Sequence, residues 1–157
     1  GLNARVFKEI TGMPYSKKRV HRRQKLAKLL DLSSVEAGRL PSIAQALARR
    51  PGFTACIISD KDGLMLAQGG ENAAAEELSA VVPKVMDQLR QVMALAKAGD
   101  VSSVSMYASG QLYTIVAFGN VCLTAVEDKI TKSQLSLIHK ISEELSWLLS
   151  HRGYVAK

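Results

Sequence analysis

Residues 101–128 read VSSVSMYASGQLYTIVAFGNVCLTAVED. Three runs rich in β-branched and aromatic residues are parted by Ser109-Gly110 and by Gly119-Asn120. Two-residue hairpin turns need positive backbone φ, which Gly and Asn supply and most residues resist. The stretch therefore predicts an antiparallel meander. Strands joined this tightly leave no room for helical crossovers, so a doubly wound parallel sheet is disfavoured.

The three runs differ in pattern. In the middle one Leu112, Val116 and Phe118 share one face, and Tyr113, Ile115 and Ala117 the other. The last is similar, with Val121, Leu123 and Ala125 opposed to Cys122 and Val126. Strands apolar on both faces are covered on both faces. The first run alternates, with Val104 and Met106 against Ser103, Ser105 and Tyr107, which suits a sheet edge. An edge presents free N–H and C=O groups, so Ser103, Ser105 and Tyr107 become candidate contact residues.

Working outward, Phe53–Ser59 reads as a strand, Asp60–Gly63 as a turn and Leu64–Gln68 as the returning strand. A long helix is predicted from about Asn72 to Ala98, closed by Gly99. Leu78, Val81, Val82, Val85, Leu89, Val92 and Ala96 recur at helical steps and are expected to cover the sheet. Met86 and Met93 form a second stripe with Arg90 between them, and these three are the candidate partner contacts on the helix. Pro83 cannot donate to Ser79, so a kink or break is expected there. A final helix opens on a capping box, Thr131–Gln134, and runs along Leu135, Ile138, Ile141, Leu145, Leu148 and Leu149 to Gly153, with Trp147 near its end. His139 and His151 have no partners at metal-ligand spacing.

The chain has 157 residues, enough for one domain with a real core. No apolar run approaches the ~20 residues of a membrane-spanning helix, and no apolar secretory segment stands at the start. The first residue is Gly, which suggests a trimmed chain; an Arg-rich, acid-poor start is also the composition of an organelle-targeting remnant. Cys56 and Cys122 sit in apolar strands without a CxxC, which reads as two buried thiols in a reducing, cytoplasmic setting. Charge is uneven: residues 1–50 carry 12 Lys+Arg and 3 Asp+Glu, net +9, and residues 51–157 carry 9 and 11, net −2.

The basic excess centres on a helix predicted from Ser16 through Leu30, with Ser16 as its cap and Leu26, Leu29 and Leu30 as a short apolar stripe. Two readings stand side by side. The leucines dock the helix on its own domain; or Lys17, Lys18, Arg19, Arg22, Arg23 and Lys25 form a basic patch for an acidic protein or anionic lipid. No aromatic residues interleave for base stacking, so the chain is not read as a nucleic-acid protein. Asp31–Arg39 reads as a linker, and Leu40–Arg50 as a short helix opened by Pro41 and stopped by Pro51-Gly52.

Catalytic patterns are scarce. No phosphate loop, nucleophile elbow, Cys/His pair, metal set or cofactor motif is present, so no enzyme and no cofactor is expected. One stretch is an exception. A strand ending in Asp60-Lys-Asp62 resembles the nucleophile motif of Mg-dependent haloacid-dehalogenase-type phosphatases, with Glu127-Asp128 as an acidic metal motif. That chemistry needs a parallel sheet, and an Asp-rich hairpin turn explains the residues with less.

The ordered set of elements resembles the Roadblock family. The residues that carry the likeness are Pro51 through Ile58, Asp62-Gly63-Leu64, the helix at Glu76–Lys97, and Leu112-Tyr113 through Leu123. The resemblance implies an α+β, profilin-like fold: a five-stranded antiparallel sheet flanked by helices on both faces. Residues 39–150 form the Roadblock-like domain, 1–38 a basic N-terminal helical extension and 151–157 a tail. It also implies a homodimer, or a dimer with a related Roadblock chain, in which long helices pair and edge strands join. Such dimers are non-catalytic regulators or adaptor platforms for Ras-like small GTPases, or structural light chains and scaffold subunits of larger assemblies. No arginine finger is identified; Arg49, Arg50 and Arg90 are merely arginines.

Overall fold

In the computed structural model, which describes residues 15–128 and 135–151, the meander forms as the turn residues dictate. Strands β3 (Ser103–Ala108), β4 (Gln111–Phe118) and β5 (Val121–Asp128) pair antiparallel, with Ala108 opposite Gln111 and Phe118 opposite Val121. Both loops are therefore two residues long. Ser109 and Gly110 take φ of 51° and 79°, and Gly119 takes 58°.

Strands β1 (Phe53–Asp60) and β2 (Met65–Gly70) complete a five-stranded sheet in the order β2-β1-β5-β4-β3. Every pairing is antiparallel, and β2 and β3 are the edges. The expected fold class is the one observed, with helices on both faces. One face carries Cys56, Ile58, Val116, Leu123 and Ala125. Helices α1 (Tyr15–Leu30), α2 (Leu40–Ala48) and α4 (Leu135–Ser150) supply the rest of that cluster. The other face carries Ile115, Ala117 and Cys122 under α3 (Ala75–Leu95).

α2 lies almost on the backbone of β2. A Cβ placed on Gly69 would collide with the Ala44 carbonyl group, so only glycine permits the approach. α3 spans 21 residues, or about 32 Å. It runs unbroken through Pro83, which is buried, so of the kink or break expected there the break does not occur. It also ends earlier than expected: Lys97 takes a left-handed turn (φ 54°) two residues before Gly99 (φ 94°), and the Ala98 N–H donates to Met93 O at 2.9 Å.

α1 begins at Tyr15, one residue ahead of the expected cap Ser16. Leu26 and Leu30 are 0% and 5% exposed, so the leucine-docked reading is the one seen. The segment read as a linker contains a short 3₁₀ turn, Glu36–Gly38, with a reciprocal cap. Ser33 Oγ accepts from the Glu36 N–H, and the Ser33 N–H donates to Glu36 Oε1. Those bonds hold the Glu36 carboxyl below its ordinary value. The capping box Thr131–Gln134, the Gly153 stop and residues 152–157 of the tail lie outside the described residues.

Replacing Gly69 by Ala is expected to cost about 3 kcal/mol, lowering the unfolding midpoint by roughly 6–12 °C. Thermal denaturation followed by circular dichroism checks this; an unchanged midpoint would mean that α2 does not rest on β2 this closely.

Candidate functional site

α3 carries two apolar stripes, and the fold divides the first: Val82 and Leu89 pack against the sheet as expected, whereas Val81 and Val92 do not. Its buried side chains are Ala75, Ser79, Val82, Pro83 and Met86. Met86 is 1% exposed and packs with Ile115, Ala117 and Cys122. It is therefore a core residue and cannot meet a partner. Val81 and Val92, expected to cover the sheet, are 46% and 58% exposed. At 100° per residue Leu78, Val81, Val85 and Val92 fall within an arc of about 60°, turned about 110° from the buried face. The result is an apolar ridge along the outside of the helix.

The other expected contact residues divide. Met93 is half-buried. Arg90 is held inward: its Nε donates to Val101 O at 3.1 Å, with Asp87 and Asp100 at 3.6 and 3.7 Å. On β3, Ser103 is half-buried, Ser105 is exposed and shares a 3.1 Å hydrogen bond with Thr114 Oγ1, and Tyr107 is 69% exposed. Met106, 42% exposed, projects from the sheet face that carries α3, because its neighbour Val104 joins the cluster there. Sequence reasoning missed Met106, Val81 and Val92 as surface residues. Helical spacing gives the stripes but not the rotation of the helix about its axis.

Part of the basic patch engages the chain's own domain, in keeping with the docked reading of the helix. Glu144 on α4 has a side chain only 2% exposed, and it pairs with Arg22 and Lys25, each at 3.1 Å. Lys18 and Arg22 lie 5.7 and 5.2 Å from the centre of the Trp147 ring. The Trp147 ring also stacks on His151 at 4.0 Å. A Cβ on Gly38 would stand 3.0 Å from the Arg23 guanidinium carbon, so that side chain lies along the 3₁₀ turn. Arg19 is half-buried, and the Lys17 side chain lies outside the described residues. Burying two leucines contributes about 2 kcal/mol each. The ion pairs, half open to solvent, contribute about 1–2 kcal/mol together. The leucines hold α1; the charges orient it.

The Asp60 turn is a hairpin device. Asp60 Oδ1 accepts from the N–H groups of Asp62 and Leu64, both at 2.9 Å, while Gly63 takes φ of 89°. Asp60 pairs with Val121 and Phe53 with Glu127, so Glu127-Asp128 stands at the far end of β5, about 20 Å away. The antiparallel sheet and that distance overturn the phosphatase reading. Both cysteines are free and buried, and burial raises both thiol pKa values. Among the described residues no group of three or more His, Cys, Asp or Glu could hold a metal ion, and no helix is long and apolar enough to cross a membrane.

No family model matches the chain, and no curated protein sequence matches it. Solved structures do. The Roadblock/LC7 domain from Streptomyces avermitilis is 17% identical with a TM-score of 0.60, over 73% of this chain and 98% of that one. The chain has the Roadblock fold. Myxococcus xanthus MglB matches at 15% identity and a TM-score of 0.56, over 88% of this chain and 99% of its own. The gliding protein MglB from Thermus thermophilus matches at 13% and 0.60, over 85% and 92%. At these identities the likeness is one of fold. In this Roadblock fold the exposed features of β3 and α3 are an unpaired edge strand and an apolar ridge.

Replacing Glu144 by Gln is expected to loosen the amino-terminal half of α1 without detaching it. Hydrogen exchange at residues 18–25 should accelerate, at a cost of about 1–2 kcal/mol, whereas Leu26→Ala should cost about 3 kcal/mol. Equal effects from the two substitutions would reverse this ranking.

Proposed function

We propose that the chain is a dimeric, non-catalytic platform for a Ras-like small GTPase, acting in the cytoplasm, where two free buried thiols stay reduced. One observation carries the reading. On a Roadblock fold, the α3 ridge of Val81 and Val92 lies exposed together with the unpaired edge β3. An exposed apolar ridge and an open edge are both costly to leave bare in water. A second copy of the chain, or a related Roadblock chain, satisfies both at once. Helix pairs with helix, β3 pairs with β3, and Tyr107 and Met106 come to the seam. A solved MglB is described as having a tetrameric arrangement, which supports self-association on this fold.

Residues 39–150 form the platform in this reading, and residues 1–38 form an extension docked through α1. The basic side chains of α1 serve α4 first, so an acidic protein or a lipid headgroup is the weaker reading of that surface. A platform of this kind supplies no catalytic residue. It acts by ordering the partner GTPase's own residues around its nucleotide.

The double substitution Val81→Glu with Val92→Glu is expected to give a folded monomer, read as a halved mass by light scattering with unchanged circular dichroism. Met86→Glu is expected to unfold the protein instead. A wild-type monomer at micromolar concentration, or a double variant that stays dimeric, sinks the interface. Retention of a small GTPase by the immobilised wild-type chain should differ between GTP and GDP. Retention of a large assembly indifferent to nucleotide would favour a light chain or scaffold subunit.

A further inference from the structure

The charge of the molecule is sorted by layer. Residues 15–50 and 135–151 hold α1, the 3₁₀ turn, α2 and α4, the layer on one face of the sheet. They carry 11 Lys+Arg and 4 Asp+Glu, net +7. Residues 51–128, which form the sheet and α3, carry 4 and 9, net −5. The ion pairs with Glu144 do not exhaust the basic excess, since Glu144 is one of the four carboxylates already counted. Lys28, Arg39, Arg49 and Lys140 are exposed, and none of them is in an ion pair among the described residues.

These four cations do not converge. Lys28 stands on α1, about 160° around the helix axis from the buried Leu26 and Leu30. Arg39 and Arg49 bracket α2, and Lys140 stands on α4. Charges spread over three elements make a broad face and not a socket, so a small anion or a single acidic side chain suits it poorly. Two exposed apolar side chains share the layer, Val20 on α1 and Val35 beside the 3₁₀ turn. A nucleic-acid backbone gives valines nothing to meet, whereas the interface of a bilayer takes up apolar side chains among basic ones.

We propose that this layer as a whole, rather than α1 alone, docks on an anionic lipid bilayer. Lys28, Arg39, Arg49 and Lys140 meet the headgroups, and Val20 and Val35 add apolar contact at the margin. The acidic side that carries α3 faces away, because the opposite charge of the two layers fixes which of them turns to the lipid. Each Lys or Arg brought near such a surface strengthens attachment about fivefold, and salt screens the effect beyond a Debye length, about 10 Å at about 0.1 M. The layer is complete in one copy and does not depend on the self-association reading. In the proposed dimer, helix pairing keeps both copies of α3 on one side of the joined sheet. Both basic layers then face the same way, and one flat bilayer engages both.

The test is cosedimentation of the full chain with vesicles of phosphatidylcholine, either alone or rich in phosphatidylserine. Binding to the phosphatidylserine vesicles is expected, and it should disappear as salt rises from about 0.1 M to about 1 M. The triple substitution Lys28→Gln, Arg49→Gln and Lys140→Gln should weaken it about a hundredfold. Lys61→Gln, Lys84→Gln and Lys97→Gln together remove the same charge from the other layer, and should weaken it by less than about fivefold. All six side chains are exposed, so the unfolding midpoint should hold in both variants. The proposal is overturned if the chain binds neither vesicle, or both equally. It is overturned if the two triple variants weaken binding to the same extent, because net charge and not this face would then be acting. Duplex RNA or polyglutamate that holds the chain at a salt concentration releasing it from the vesicles would overturn it too, and would assign the face to a nucleic acid or an acidic protein.

Discussion

Burial of β5 on both faces is the constraint on which the rest of the structure depends. Every residue from Val121 to Glu127 is buried, and the strand lies between β1 and β4 at the centre of the sheet. A strand apolar on both sides cannot stand at a surface, so each face needs its own layer. α2 and α4 close one face, with α1 joining the same cluster, and α3 closes the other. The glycines follow from the same demand. Gly69 lets α2 approach β2. A Cβ on Gly63 would stand 3.0 Å from the Ala80 Cα and 3.2 Å from the Ser79 carbonyl oxygen, so glycine also lets the β1–β2 turn rest against α3.

That contact bears on Pro83. Proline removes the donor that the Ser79 carbonyl would ordinarily meet. The turn at Gly63 packs against this part of the helix, and the Ser79 hydroxyl donates back to Ala75 O at 2.9 Å. Held between the sheet and this turn, α3 stays one helix where local propensity alone would break it. Tertiary packing overrides propensity here because Val82, Pro83 and Met86 are all buried, and breaking the helix would expose them.

The fold was legible wherever a local rule decides it. Ser109-Gly110, Gly119-Asn120 and Asp60–Gly63 named the hairpins, and two-residue alternation identified β3 as an edge. The surface was less legible, because it depends on pairs remote in sequence. The charges of Arg22 and Lys25 look like a free patch until Glu144, more than a hundred residues away, is placed beneath them. Met86 looks like a surface methionine until Ile115 and Cys122 are set against it. Helical periodicity separates two stripes 100° or so apart; the sheet alone decides which one faces it. The Ser33–Glu36 cap was readable from spacing, but no apolar run follows it to draw attention.

The two sheet edges differ in a way that bears on association. β2 is guarded: α2 lies against Gly69, and the Gln45 side chain accepts the Gly70 N–H at 3.3 Å. A strand arriving at that end of β2 would have to displace a hydrogen bond and meet a helix. β3 carries no such guard among the described residues, and from Ser105 to Ala108 it is exposed. Natural edges are blunted by charge, proline or cover. β3 has neither charge nor proline, and it has serines, Met106 and Tyr107 instead. Of the two edges one is covered and the other is left uncharged and open, and it is on this contrast that the proposed seam at β3, and not at β2, rests.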